Sequence, residues 1–153
     1  KKLEFKLIDI RKLMPELFLC KGNQTKKKPS KINFKDIKKG ALLLNSISKF
    51  DIGQSIVIQN GDVIGIEAAQ GTDSLIKTSG SILKHGQDAV LVKLAKIKQN
   101  LKADLPTIGI QTVRNCKKNK IFGIAYSANK TLFLKKDKII DYCNINKIFL
   151  IGI

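Results

Sequence analysis

Apolar and polar residues alternate in a pattern that changes along the chain, and the clearest part lies near the middle. Two runs rich in β-branched residues, 55–58 and 63–67, flank the dipeptide Asn60-Gly61. Asn-Gly is the preferred sequence of tight primed turns, which join two antiparallel strands through two residues. The pattern therefore predicts a β-hairpin.

The rest of the chain alternates between predicted helices and strands. Helices are predicted at 36–48, 72–84, 106–119 and 137–144. Strands are predicted at 89–93 and 148–153, with a second hairpin formed by 121–126 and 131–134 around Asn129. Thr72 or Asp73 is expected as a helix N-cap, and Pro106 in the first turn of the next helix. The alternation predicts an α/β fold: a mixed sheet of about six short strands, with two hairpins and three to four helices.

The length and composition are those of a single globular domain. The chain has 153 residues, and 43% of them are hydrophobic, which is enough to form a core. The formal net charge of +17 makes nucleic acid or a membrane surface a candidate partner. Only Arg11 and Arg114 are arginines, however, and there is no Trp, whereas nucleic-acid interfaces favour Arg contacts and aromatic stacking. A basic nucleic-acid-binding module is therefore the less favoured alternative.

The cysteines predict neither a disulfide framework nor a zinc site. Cys20, Cys116 and Cys143 are odd in number, far apart and without a Cys-x-x-Cys spacing. We expect three reduced thiols that are buried as small apolar side chains, as in proteins of a reducing compartment. No apolar run of the sequence approaches the length that a membrane-spanning helix needs.

Polar and glycine residues collect at both ends of the first predicted hairpin. Asp51, Gly53 and Gln54 precede its first strand, and Glu67 and the Gly-Thr-Asp segment 71–73 follow its second. Open α/β sheets bind ligands at the ends of their strands. The arrangement therefore predicts a site at the edge of the sheet.

Two stretches, 50–73 and 91–113, carry a more specific signal in a series of short motifs. The motifs are Phe50-Asp51-Ile52-Gly53-Gln54-Ser55, Glu67-Ala68, Gly71-Thr72-Asp73, Leu91-Val92-Lys93, Lys96, Gln99, Asp104-Leu105-Pro106-Thr107-Ile108-Gly109 and Thr112-Val113. Together they resemble the bacterial UDP-2,3-diacylglucosamine pyrophosphatase family of lipid A biosynthesis, in the branch that uses magnesium. The resemblance covers most of the chain, from 13–17 to 149–152.

The resemblance implies an enzyme that hydrolyses the diphosphate of UDP-2,3-diacylglucosamine to UMP and 2,3-diacylglucosamine 1-phosphate, with Mg2+ as cofactor. It also implies an additional N-terminal domain. Residues 1–20 are then expected to be a connector, and 21–153 the C-terminal catalytic-type α/β domain. The lipid is expected between the two domains, so the chain alone is expected to be inactive or weak. The implied location is the cytoplasm, at the cytoplasmic face of the inner membrane, and a homodimer is a further candidate assembly.

The chemistry implied by the resemblance selects candidate site residues. Glu67, Asp73 and Asp104 are the candidate magnesium ligands, and Asp104 is the expected catalytic residue. Magnesium binds hard oxygen ligands, commonly one or two carboxylates plus phosphate oxygens. The expected substrate-binding residues are Gln54, Gly71, Thr72, Lys93, Lys96 and Thr107. The lysines would supply positive charge, and the helix starts expected at 71–73 and 105–107 would offer free N–H groups to the diphosphate.

Three positions depart from the family pattern. Gln70 and Asn100 stand where the family usually has acids, and Lys102 stands where it usually has an Arg. An amide has no charge with which to hold a cation or take a proton, and Lys lacks the guanidinium fork. If the family's essential aspartate aligns with Asn100, the chain is a catalytically impaired relative that only binds a lipid phosphate. We favour Asp104, because the motif 104–109 that it begins is intact.

Overall fold

The structure is a computed structural model, and it describes residues 7–97, 100–102 and 104–153. Gln99, which belongs to the motifs above, and the first six residues of the expected connector lie outside the described residues. That residues 1–20 join a further domain stays a prediction. Within this segment, Phe18 and Leu19 are buried in the domain itself.

The described residues form five α-helices and eight β-strands. The helices are α1 (Ile10–Leu13), α2 (Lys31–Ile47), α3 (Gly71–Gly80), α4 (Ile110–Lys118) and α5 (Lys136–Ile145). The strands are β1 (Gly22–Asn23), β2 (Ser55–Gln59), β3 (Asp62–Ile66), β4 (Ala89–Lys93), β5 (Thr107–Ile108), β6 (Ile121–Tyr126), β7 (Leu132–Phe133) and β8 (Phe149–Gly152). Among these helices, none is long and apolar enough to cross a bilayer.

Six strands form one mixed sheet in the order β1-β8-β6-β4-β2-β3. The strands β4, β6 and β8 run parallel to one another, whereas β1, β2 and β3 are antiparallel to their neighbours. This confirms the predicted α/β class and the mixed sheet of about six strands. The carboxyl ends of β3, β4, β6 and β8 lie at one edge of the sheet, where β2 begins.

Helices cover the sheet on both faces and make a three-layered domain. On one face, Val57, Leu91 and Leu150 belong to a core that also contains residues of α3, α4 and α5. On the other face, the alternate strand residues Ile58 and Val92 pack with α2. A strand that is buried on both faces needs apolar residues at successive positions, which explains the continuous apolar run that precedes the final residue of β4.

The helix α2 begins at Lys31, whereas the sequence predicted a start at 36. A capping box determines the true start: Asn33 N donates to Ser30 Oγ at 3.2 Å, and Ser30 N donates to Asn33 Oδ1 at 2.9 Å. Farther along the helix, a Cβ at Gly40 would come within 2.9 Å of the Val92 side chain. The glycine therefore lets α2 pack closely against β4.

The first predicted hairpin is confirmed and the second is wrong. The strands β2 and β3 pair around Asn60 and Gly61, whose φ angles of 49° and 84° are those of a primed turn. The strand β6 cannot pair with β7, because β4 and β8 occupy both of its edges. Instead, β7 pairs with β5 in parallel, outside the main sheet.

The predicted helix start at Pro106 is wrong as well. Residues 107–108 form β5, and Pro106 O accepts a hydrogen bond from Leu132 N at 2.8 Å. The helix α4 begins only at Ile110. Residues 105–107 therefore lead into the short strand β5 and do not offer the N–H groups of a helix N-terminus to a phosphate.

The predicted N-cap of α3 is also displaced. The helix begins at Gly71, with Gln70 at the N-cap, so Thr72 and Asp73 lie inside its first turn. It ends at Gly80, four residues before the predicted end at 84. The hydroxyl of Thr72 is consequently available for contacts other than capping.

Two of the three thiols are buried, as predicted, and the third is exposed. Cys116 and Cys143 lie in the core between the sheet and its helices. Burial raises the pKa of both thiols, that of Cys143 to about 12. Cys20 is exposed, and it lies just before β1, which is an outermost strand of the sheet.

The turn of the confirmed hairpin is anchored by Asp36 of α2. This side chain is 1% exposed, and its two carboxylate oxygens accept from Asn60 N at 2.9 Å and from Gly61 N at 2.7 Å. We predict that Asp36→Ala lowers the free energy of unfolding by about 2–3 kcal/mol, because two backbone N–H groups lose a charged acceptor. Urea denaturation measures this loss.

Asp62→Ala is the matched control on the same hairpin. Its ion pair with Lys84 is 3.2 Å long and both side chains are mostly exposed, so the loss should stay below about 1 kcal/mol. Equal losses in the two variants would contradict the anchoring role of Asp36.

Candidate functional site

A cleft of about 420 Å³ lies at the edge of the sheet where β2 begins and β3 ends. The lining residues are Asp51, Ile52, Gly53, Gln54, Glu67, Ala68, Ala69, Lys96 and Asp104. Four residues selected from the sequence therefore come together here: Gln54, Glu67, Lys96 and Asp104. The position at the strand ends agrees with the ligand site expected for an α/β sheet.

Gly53 brings the segment before β2 against the end of β3. Its φ angle is 39°, and a Cβ at this position would overlap the carbonyl oxygen of Glu67. Next to this contact, Glu67 N donates to Ser55 O at 2.8 Å. The approach of the two segments fixes the backbone from which the Glu67 side chain extends.

The carboxylate of Glu67 is held at both of its oxygens. Thr72 Oγ1 donates to Oε1 at 2.9 Å, and Gln54 N donates to Oε2 at 3.3 Å. The residue is only 7% exposed although it lines the cleft. A buried carboxylate needs such donors, and here they fix its orientation.

Lys93 lies behind Glu67 and is not among the residues that line the cleft. It is the last residue of β4, is 6% exposed, and donates from Nζ to Thr72 Oγ1 at 2.6 Å. Burial lowers the pKa of the Lys93 amine, and the negative charges of Glu67 and Asp73 act in the opposite direction. The structure thus brings Lys93 to Thr72, whereas the sequence suggested a direct phosphate contact.

Lys96 forms an ion pair with Asp51 in the wall of the cleft. Its Nζ donates to Asp51 Oδ1 at 2.6 Å and to Asp51 O at 3.3 Å. The sequence places Asp51 among the polar residues that precede β2, at the predicted site. It does not indicate that Lys96 is the partner of Asp51, because the two residues are 45 positions apart in the chain.

Asp104 reaches the cleft from the loop before β5, and it is exposed. Its backbone N donates to Asn100 O at 2.9 Å, and Asn100 Oδ1 accepts from Lys102 N at 3.1 Å. Asn100 and Asp104, the two positions considered for the catalytic acid, therefore belong to one turn.

Five of the predicted site residues do not line this cleft, namely Gly71, Thr72, Asp73, Lys93 and Thr107. Asp73 accepts from Asn115 Nδ2 at 3.1 Å and lines a second cavity between α3 and α4. Thr107 lies in β5, where its Oγ1 donates to Leu105 O at 3.2 Å. Gly71 begins α3 with a φ angle of 78°. Gly71 and Asp73 follow β3 in sequence and Thr107 lies within β5, but sequence order does not specify which residues share a cavity.

Of the three candidate magnesium ligands, Glu67 and Asp104 share the cleft and Asp73 does not. Within the part of the chain that the structure describes, no three Asp, Glu, His or Cys residues are grouped so that they would hold a metal ion. Two carboxylates suit magnesium where phosphate oxygens and waters complete its coordination shell. The donors therefore fit magnesium bound together with a phosphate ligand, and this cofactor stays a prediction.

Comparison with known proteins agrees with the resemblance seen in the sequence. The family model described as LpxI C-terminal domain matches residues 20–151. The chain is also similar to UDP-2,3-diacylglucosamine pyrophosphatase LpxI of Caulobacter vibrioides, with 27% identity over 155 residues. That match covers 97% of the chain and 55% of the relative, so the chain spans about half of the relative's length.

The contact between Gly53 and Glu67 can be tested by adding a single methyl group. We predict that Gly53→Ala lowers the free energy of unfolding by about 2–3 kcal/mol, since the backbone is left-handed and the Cβ overlaps the Glu67 carbonyl. Gly86→Ala is the control: its φ is 77°, but no atom lies within 4 Å of the added carbon. It should lose about 1 kcal/mol, from backbone strain alone. Urea denaturation compares them, and equal losses would show that the contact is not tight.

Proposed function

Since the chain belongs to the family of LpxI C-terminal domains, we propose that it is the C-terminal half of a UDP-2,3-diacylglucosamine pyrophosphatase. The reaction is hydrolysis of the diphosphate to UMP and 2,3-diacylglucosamine 1-phosphate. The name of the Caulobacter relative supports this substrate. The observation that carries the proposal is the cleft at the sheet edge, which brings Glu67, Lys96 and Asp104 together from three separate segments.

Diphosphate hydrolysis needs neutralised phosphate oxygens, an oriented water and stabilisation of the charge on the leaving oxygen. In the proposed site, Glu67 and Asp104 would hold Mg2+, whose charge neutralises the diphosphate. Lys96 supplies a positive charge, for which a phosphate oxygen competes with the Asp51 carboxylate. We assign to Asp104, which is exposed on its loop, the roles of orienting the attacking water and taking its proton.

The ligand is larger than the cleft of this chain. A volume of about 420 Å³ suits a diphosphate and part of a sugar, but not a nucleotide and two acyl chains as well. We propose that an N-terminal domain supplies the opposing surface and that the lipid lies between the two. The proposal also includes a position at the cytoplasmic face of the inner membrane, where the net charge of +17 favours anionic headgroups. A homodimer stays a prediction.

The function is tested by release of UMP from UDP-2,3-diacylglucosamine. We predict that the chain alone releases little UMP, and that adding a separately purified N-terminal domain restores release in the presence of Mg2+. EDTA should abolish the restored activity. Full release by the chain alone would contradict the need for a second domain, and full release in EDTA would contradict the proposed cofactor.

A second prediction separates the two candidate acids. In a full-length protein that contains this chain, Asp104→Ala should lower kcat about 10²–10⁴-fold, since a positioned acid or base contributes that much, while folding is retained. Asp141→Ala, at an exposed aspartate of α5 that does not line the cleft, should leave kcat unchanged.

Asn100→Asp completes this comparison. The carboxylate can accept the Lys102 N hydrogen bond that Asn100 Oδ1 accepts now, so the turn should persist. A normal kcat in Asp104→Ala, together with a large rise in the kcat of Asn100→Asp, would show that the catalytic acid of the family belongs at position 100. It would also identify the chain as an impaired relative.

A further inference from the structure

Lys93 is a buried cation at the end of the central part of the sheet. Its strand, β4, is paired on both edges, and the residue is 6% exposed. A buried ammonium is costly unless hydrogen bonds and opposite charges compensate for the lost water. The compensation comes from the site, because Thr72 Oγ1 lies 2.6 Å from Nζ and the Glu67 carboxylate lies beyond it.

The chemistry of the three groups fixes the direction of these hydrogen bonds. A lysine ammonium has only donors, so Thr72 Oγ1 must accept from Lys93. The single hydroxyl proton of Thr72 then points to Glu67 Oε1, at 2.9 Å, and not back to the amine. Ser55 Oγ lies 3.3 Å from the same hydroxyl oxygen and fills the remaining side. The result is a directed relay from Lys93 through Thr72 to Glu67.

The relay joins three elements at the point where the cleft opens. Lys93 ends β4, Thr72 lies in the first turn of α3, and Glu67 follows the last residue of β3. Gln54 N donates to the second carboxylate oxygen of Glu67 at 3.3 Å. Of the three relay members, only Glu67 lines the cleft. Lys93 and Thr72 therefore determine how the carboxylate faces a ligand, without needing to touch that ligand themselves.

We propose that Lys93 is a positioning residue, which acts through Thr72 to hold the Glu67 carboxylate in the orientation that the cleft requires. The role rests on the proposed function, because it assigns Glu67 to the reacting site. It replaces the sequence-based expectation that Lys93 and Thr72 contact the substrate phosphates directly. Substrate affinity then depends little on the relay, whereas turnover depends on it strongly.

The kinetic test uses Lys93→Met and Thr72→Val in the full-length protein that contains this chain. Each variant should lower kcat about 10–100-fold, as loss of groups that orient a ligand-binding side chain usually does, with KM within about threefold. The double variant should be no worse than the poorer single variant, because both changes break one relay. Thr72→Ser, which returns the hydroxyl, should recover most of the kcat lost in Thr72→Val. A raised KM with multiplying losses in the double variant would overturn the proposal.

A second measurement does not depend on activity. The ammonium group of Lys93 in the purified chain should give a slowly exchanging signal in NMR, because it is buried and hydrogen-bonded. The signal should shift and exchange faster in Thr72→Val, but not in Asp51→Asn, which disturbs the neighbouring Lys96 pair. A Lys93 signal unaffected by Thr72→Val would overturn the relay even if Lys93→Met did not fold. Lack of UMP release by the wild-type protein would instead overturn the proposed function and leave this result intact.

Discussion

Enclosure of β4 is the constraint on which the rest of this structure depends. The strand pairs with β2 in antiparallel and with β6 in parallel, and helices cover both of its faces. All five of its residues are buried, and four of them are apolar. The fifth, Lys93, carries a charge that can be satisfied only at the carboxyl end of the strand. The polar groups of the site gather at that end of β4. The burial of this strand therefore determines both the layered fold and the position of the site.

The antiparallel hairpin of β2 and β3 explains why the Glu67 carboxylate lies near the charge of Lys93. The hairpin brings the end of β3 back beside the start of β2, so Glu67 N can donate to Ser55 O. The turn at the far end of the hairpin is held by Asp36 of α2, on the opposite side of the sheet from α3. Gly53 then permits the close approach that the returned strand needs. The geometry of the cleft is therefore determined by contacts in two layers and not by the cleft residues alone.

The parts of the fold that the sequence predicted correctly depend on local signals. Asn60-Gly61 specifies its turn by backbone conformation, and 89–93 specifies a buried strand by its apolar run. The errors concern pairings between short distant segments. The strands β5 and β7 have two residues each, too few to show a periodic pattern, so the sequence predicts the wrong partner for 131–134 and a helix start at Pro106.

The same distinction applies to the site. The sequence indicates Glu67 and Asp104 because they lie in motifs at the ends of predicted elements, and the cleft brings them together. The Asp51–Lys96 pair was missed, since nothing in either neighbourhood indicates a partner 45 residues away. The sequence position of Asp73 groups it with the other carboxylates, but in the structure its side chain accepts a hydrogen bond from Asn115 of α4. Sequence shows which residues lie near strand ends, whereas the packing of helices decides which of them share a cavity.

The two amides at positions where the sequence resemblance implies acids, Gln70 and Asn100, have different structural consequences. Gln70 accepts from Ala68 N at 3.0 Å and donates to Ile66 O at 3.2 Å. A carboxylate could accept the first bond but could not donate the second, so only the amide closes this turn on both sides. The Asn100 side chain accepts from Lys102 N through its oxygen, a bond that a carboxylate can also accept. Gln70 is therefore a structural replacement, whereas the amide at position 100 changes the charge beside the cleft without being needed for the turn.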